Sequence, residues 1–214
     1  MRDYACTEDT FLKDVSNHVM TVIYDDGINR HIRFRRPTSS AYWFDIITWP
    51  GSLCIDGDMG TYVFRRLEDM FEFFRTDQKY AEKDGRQLYI NPGYWGEKLK
   101  STARHEGYTE FSEKLVCDAV KRWFDDWVES EDLTESQKTR LWEAIEEHVL
   151  FYSDDDPRDL MQAIRDFEHE GFRFSDFWEV VTEDYTFHFI WCCYAIAWAV
   201  KTYDGSKSIE REAV

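Results

Sequence analysis

A run of fourteen residues without a single Lys, Arg, Asp or Glu, FHFIWCCYAIAWAV at 187–200, constrains this chain more than any other stretch. A helix that crosses a bilayer needs about 20 apolar residues, and this run is shorter and carries His188 near its start. A helix that is apolar all round must instead be covered on every side by other elements. We read 191–200 as a buried helix against which the rest of the chain packs. With 214 residues, 43% of them hydrophobic and 17% aromatic, the chain has the material for that core, and disorder over most of its length is excluded.

Strand signals come first along the chain. HVMTVIYDDGINRHIRFRRP sets an Asp-Gly turn between two runs rich in β-branched and aromatic residues, a strong hairpin signal. SAYWFDIITWPGSLCI follows, with Pro50 and Gly51 suited to a turn, and LCIDGDMGTYVF reads as two short strands around DGDMG. Four or five antiparallel strands are expected. From Leu67 the period changes, with Leu67, Met70, Phe71 and Phe74 at helical spacing. A loop-rich stretch at 76–96 contains NPGYWG, whose Tyr94 and Trp95 suit either a core or an interface.

The later half is helical. Leu115, Val116, Ala119, Val120, Trp123, Phe124 and Trp127 trace one stripe of an amphipathic helix. Thr134 with Gln137 forms a capping box before the next helix. Asp156 before Pro157 starts a third, which Gly171 is expected to close. The expected class is α+β, an N-terminal antiparallel sheet packed with a C-terminal helical bundle around the one apolar helix. Residues 1–17 read as an extension, 18–75 as the sheet region with its first helix, 76–204 as a helical region of the same domain, and 205–214 as a flexible tail.

The net charge of −17 is unevenly placed. Residues 101–190 hold 24 acids against 9 bases, whereas 1–75 hold 12 against 9. Such a chain is repelled by DNA and by anionic membranes and drawn to basic surfaces. Cys6, Cys54, Cys117, Cys192 and Cys193 show no CxxC pair and no zinc spacing, so reduced thiols of a cytosolic protein are expected. The opening MRDYACTEDTFLKD is polar, so no signal peptide is expected.

Catalytic motifs are sparse. GxSxG, the phosphate-binding GxxxxGK and HExxH are all missing. In IDGDMG, an EF-hand register starting at Asp56 meets Gly60 at position 5, Thr61 at position 6 and Leu67 at position 12, so it fails. A strand follows the glycines where a phosphate cradle needs a helix. The loop therefore reads as a hairpin turn, with a two-carboxylate Mg²⁺ or Ca²⁺ site as the alternative. His169 is the single histidine with a carboxylate, Asp166, three residues before it on an expected helix. Arg30, Arg33, Arg35 and Arg36 form the one basic cluster, either a solvated face paired with the chain's own acids or a phosphate contact.

The acids of the helical half make the fullest pattern. Asp118, Asp125, Asp126 and Glu129 lie opposite the Trp/Phe stripe, Glu143, Glu146 and Glu147 do the same on the next helix, and Asp154, Asp155, Asp156, Asp166, Glu168 and Glu170 extend the series. Like charges three or four residues apart lie roughly 5–6 Å from one another and destabilise a helix. A chain that accepts this either needs solubility or presents a false phosphate backbone to a DNA-binding partner.

In YWFDIITWPGSLCIDGDMGTYVFRRLEDMFEFF and FIWCCYAIAWAVKTYD the chain resembles a family of small uncharacterised proteins of tailed bacteriophages and prophages, over about His18 to Asp204. The resemblance implies phage origin and action in the bacterial host cytoplasm, and assigns no catalytic residue. By analogy with acidic phage proteins that mimic DNA, the leading expectation is a non-enzymatic, cofactor-free inhibitor of a host defence system of the anti-CRISPR or anti-restriction type. Its partner is a basic nucleic-acid-binding host protein or complex, with no membrane and no direct nucleic-acid binding, and a homo-oligomer is allowed. The expected contact residues are Asp125, Asp126, Glu129, Glu143, Glu146, Glu147, Asp154, Asp155 and Asp156. The alternatives are a metal-dependent nucleic-acid-processing enzyme using Asp45, Asp56 and Asp58 with the arginine strand, and a phage accessory protein that binds a basic viral partner.

Overall fold

Alternation with a period of two becomes a six-stranded antiparallel meander: β1 (Val19–Asp25), β2 (Arg30–Arg35), β3 (Phe44–Trp49), β4 (Ser52–Gly57), β5 (Gly60–Arg65) and β6 (Leu99–Thr102), in that spatial order. The computed structural model describes residues 5–81, 85–103, 107–153 and 156–212. Register aligns Val22, Ile32, Ile46, Ile55 and Tyr62 across the inner face, and Met20, Phe34 and Phe44 in the next row. That row continues through Gly57 to Gly60, and a Cβ at Gly57 would lie 2.2 Å from the Trp43 carbonyl oxygen and 2.7 Å from Phe44 Cα.

The inner face is covered by α7 (Phe187–Glu212), with α1 (Glu8–Val15) and α2 (Met70–Gln78) beside it. α7 is buried from Phe189 to Ala197, as its uniformly apolar composition requires. Residues 1–17 are more than an extension: Phe11 and Val15 of α1 are core residues, Asp14 accepts a 3.0 Å hydrogen bond from the Trp191 indole, and Glu8 accepts from the Gln87 and Leu88 amides. The expected flexible tail is also corrected, since α7 runs through it to Glu212 and Lys207 pairs with Asp25 at 3.3 Å. The NPGYWG segment forms a short helix, α3 (Pro92–Gly96), with Trp95 buried and Tyr94 exposed.

A second unit, Glu110–Asp184, separates from the first, Met1–Thr109 with Tyr185–Val214. From β7 (Thr109–Phe111) the chain enters α4 (Glu113–Ser130), α5 (Glu135–His148), a 3-10 turn at Leu150–Tyr152 and α6 (Pro157–Asp166). The hairpin β8 (Glu168–His169) and β9 (Phe172–Arg173) follows, then a 3-10 turn at Phe177–Glu179, then β10 (Glu183–Tyr185), which pairs with β7. The capping box of Thr134 and Gln137 is present, and Asp156 caps α6. Gly171 does not close α6. The helix ends at Asp166, and Glu170 (φ 46°) with Gly171 (φ 86°) turns the β8–β9 hairpin, two left-handed residues matching a type I′ turn.

The sequence reading makes 191–200 the core of these helices; instead 191–200 belong to the core of the sheet unit, and the helices have a core of their own, Val116, Ala119, Val120, Phe124, Leu141, Ile145, Leu160 and Ile164 with Phe167, Phe172, Phe174 and Phe177. The physical reason is one of area. A helix buried on all sides needs a broad apolar surface, which the sheet supplies, whereas helices with a single apolar stripe satisfy one another.

Candidate interaction surface

The division into units sorts the charge. Residues 110–184 carry 23 Asp and Glu against 8 Lys and Arg, net −15, and the remaining chain carries 20 against 18, net −2. On α4 the core stripe leaves Asp118, Asp125, Asp126 and Glu129 exposed. Two of them are partly neutralised one turn away: Lys114 donates to Asp118 at 2.9 Å, and Lys121 to Asp125. Among the described residues no ion pair holds Asp126 or Glu129.

On α5, Leu141 and Ile145 set the buried side, and Glu143, Glu146 and Glu147 lie exposed on the other. Glu146 accepts a 2.7 Å hydrogen bond from the Trp142 indole, while Glu147 stands 4.0 Å from His148. These three carboxylates occupy the C-terminal half of the helix, where the macrodipole disfavours negative charge, and neither Lys nor Arg pairs with them among the described residues. Asp156 is engaged by Arg158, whose side chain and amide hydrogen bonds hold its carboxyl down at about 2. Asp154 and Asp155 lie outside the described residues.

Recesses in this unit were not legible in the sequence, and two of them hold residues singled out above. One, of about 550 Å³, is lined by His148, Tyr152, Asp159, Gln162, Asp166 and His169 among others. Asp166 and His169 both line it, but His169 is on β8, so the expectation of the two on one helix is corrected. The other, about 450 Å³, has Asp126 beside Trp123, Trp127, Phe172 and Arg173. Trp178 is 76% exposed and Phe151 71%. Outside a regular periodicity nothing in the sequence tells which way one aromatic residue faces.

The carboxylates of the alternative site all make contacts within the sheet unit. On the outer face of the sheet, register aligns Thr21, Arg33, Asp45, Asp56 and Thr61. Arg33 grips both oxygens of Asp45 at 2.8 Å, and His31 Nε2 lies 2.8 Å from one of them. Burial pushes the Asp45 carboxyl up, but Arg33 and His31 outweigh it and hold it below the ordinary range. Thr61 donates to Asp56, and Asp58 accepts from the Tyr42 amide at 2.7 Å, which makes DGDMG a hairpin turn with its own hydrogen bonds. Among the described residues no three His, Cys, Asp or Glu side chains converge where a metal ion could sit. Arg30 points inward, 2.9 Å from both oxygens of Asp69 and 4.4 Å above the Phe71 ring. Burial and then Asp14 push the Cys6 thiol to about 12, so it is an inert core group.

No helix among the described residues is long and apolar enough to cross a membrane. The chain matches no family model, no curated protein and no solved structure.

Proposed function

We propose that the chain is a phage-encoded inhibitor of a host defence nuclease or complex, acting in the bacterial cytoplasm through the acidic surface of residues 110–184. The observation that carries this reading is the concentration of net −15 on a unit with its own core, with the outward glutamates of α5 left without a Lys or Arg partner among the described residues. Solubility alone does not call for such placement, because charge spread over both units would serve it without setting like charges at helical spacing and against a helix dipole. A basic nucleic-acid cleft stabilises such a surface as it stabilises phosphates. Asp126, Glu129, Glu143, Glu146 and Glu147 are the contact residues, with Asp125 and Asp156 contributing around their own pairs.

The test is capture from bacterial lysate at low and high salt, with duplex DNA added as competitor. Captured proteins are expected to be nucleic-acid binders that DNA displaces. The Glu143→Lys, Glu146→Lys, Glu147→Lys variant, its helical content checked by circular dichroism, is expected to retain less than about a tenth of that binding, since truncating charges at a complementary interface costs kcal/mol each. Equal capture by the variant, with the same salt dependence, refutes the proposal.

A further inference from the structure

The two edges of the six-stranded sheet are built differently. β6 is a four-residue edge, LKST, that carries Lys100, and short strands and lysine are the ordinary protection of an edge. β1 has seven residues, VMTVIYD, with no Lys, Arg or Pro, and its single charge, Asp25, stands at the end. Its neighbour in the sheet is β2, on one side, so its other row of main-chain N–H and C=O groups faces outward. Apart from Met20, which packs on the core, and Asp25, the side chains of β1 are exposed on both faces. Register directs Val19 and Tyr24 to the outer face with Arg35 and His31, and both are 53% exposed. Val22 aligns with Ile32 on the inner face yet is still 42% exposed, and Ile23, at the register shift, is 49% exposed.

We propose that β1 is a self-association edge, on which the β1 strand of a second copy of this chain pairs antiparallel about a two-fold axis. The claim is independent of the acidic surface. Three observations select a second copy over another occupant. An open strand edge is complemented by another strand, and because the one charge of β1, Asp25, stands at its end, an antiparallel pairing about a mid-strand two-fold sets the two copies' Asp25 at opposite ends, so no like charges meet. Asp25 is already engaged within its own chain by Tyr203 (2.8 Å) and Lys207 (3.3 Å), which leaves the strand without an available charge for a basic or an acidic partner. The unit that carries β1 is also near neutrality, at net −2, so two copies approach there against far less repulsion than at the −15 unit. The copy's own Val19, Val22 and Tyr24 then cover these residues on both faces, as a partner with one apolar face does not.

One strand pair lies at or below the roughly 1,200 Å² of the smallest stable interfaces, so the dimer is expected to be reversible, with a dissociation constant in the micromolar range. Sedimentation equilibrium from about 1 to 200 µM should show the mass rising from one chain towards two, an interval that brackets such a constant. Amide exchange of residues 19–25 should slow at least about tenfold between those limits, because exchange follows the population of the open form. The Val22→Lys, Tyr24→Lys variant should stay a single chain, with unchanged circular dichroism and thermal midpoint. A mass of one chain at every concentration overturns the proposal and leaves the edge to a foreign strand. So does a dimer whose residues 19–25 exchange as fast as in the single chain, or one that persists in the folded variant. Should the variant unfold, exchange in the unaltered chain decides.

Discussion

In the sheet unit, ion pairs tie distant parts of the chain together: Arg30 to Asp69, Arg33 to Asp45 and Arg75 to Asp204, at 2.9, 2.8 and 2.6 Å. In the helical unit the pairs are local in the chain: Lys114 to Asp118, Lys121 to Asp125 and Lys138 to Glu135 are one turn apart, His148 with Glu147 and Arg158 with Asp156 are closer still, and Arg140 with Glu170 at 3.5 Å is a longer-range exception. Pairs one turn apart stabilise by a few tenths of a kcal/mol, whereas a buried pair such as Arg30 with Asp69 is costly to break. Charge therefore helps hold the tertiary structure of the first unit. In the second, aromatic packing holds the fold and most charge stays at the surface.

The sharpest way to break this contrast is to attack the aromatic core. Phe172 is buried and its ring meets Trp127, Phe167 and Phe174. Phe172→Ala is expected to destabilise residues 110–184 by about 3–5 kcal/mol, seen as faster amide exchange across that segment with the sheet's exchange unchanged. Equal loosening of both units would show that they are not separate in stability.

Acid should act the other way round. Burial pushes the Asp69 carboxyl up, but Arg30 and the Phe71 amide outweigh it and hold it below the ordinary range, and Asp25 and Asp45 are lowered too. A carboxyl lowered in the folded state contributes stability that is complete above its unfolded value, about 4, and is lost as pH falls through the folded value. The sheet unit is therefore expected to lose stability below about pH 4. Asp69→Asn, which strands the 6% exposed Arg30 guanidinium, should cost about 3 kcal/mol at neutral pH and flatten the acid response. A thermal melt series from pH 7 to 3 with both proteins checks this. The smallest effect belongs to the cap of α5. Thr134→Ala removes the hydroxyl half of its capping box and leaves the backbone amide of residue 134 donating to Gln137; it should cost about 1 kcal/mol, confined to the helical unit in the same exchange measurement.

Local chemistry was legible in the sequence. The hairpin at Asp25–Gly27, the stripe of α4, the capping box and the Asp156 start of α6 all stand as read. So does the exposure of Asp125, Asp126, Glu129, Glu143, Glu146 and Glu147, because a period of 3.6 tells which face is buried. It does not tell against what. Both units present apolar stripes of the same kind, so the separate core of 110–184 left no mark in the periodicity. Gly171 has the signal of a helix end and the geometry of a hairpin, and a recess such as that joining His148 to His169 depends on elements meeting in three dimensions.

The helical unit is an insertion: residues 110–184 interrupt a sheet unit that resumes only at Tyr185. During synthesis all six strands leave the ribosome before the helix that covers them, and Ile32, Phe34, Ile46, Ile55 and Tyr62 stay uncovered by it until α7 emerges. The acidic unit is translated in that interval, with a complete core of its own, so it can finish folding while the sheet still lacks its lid.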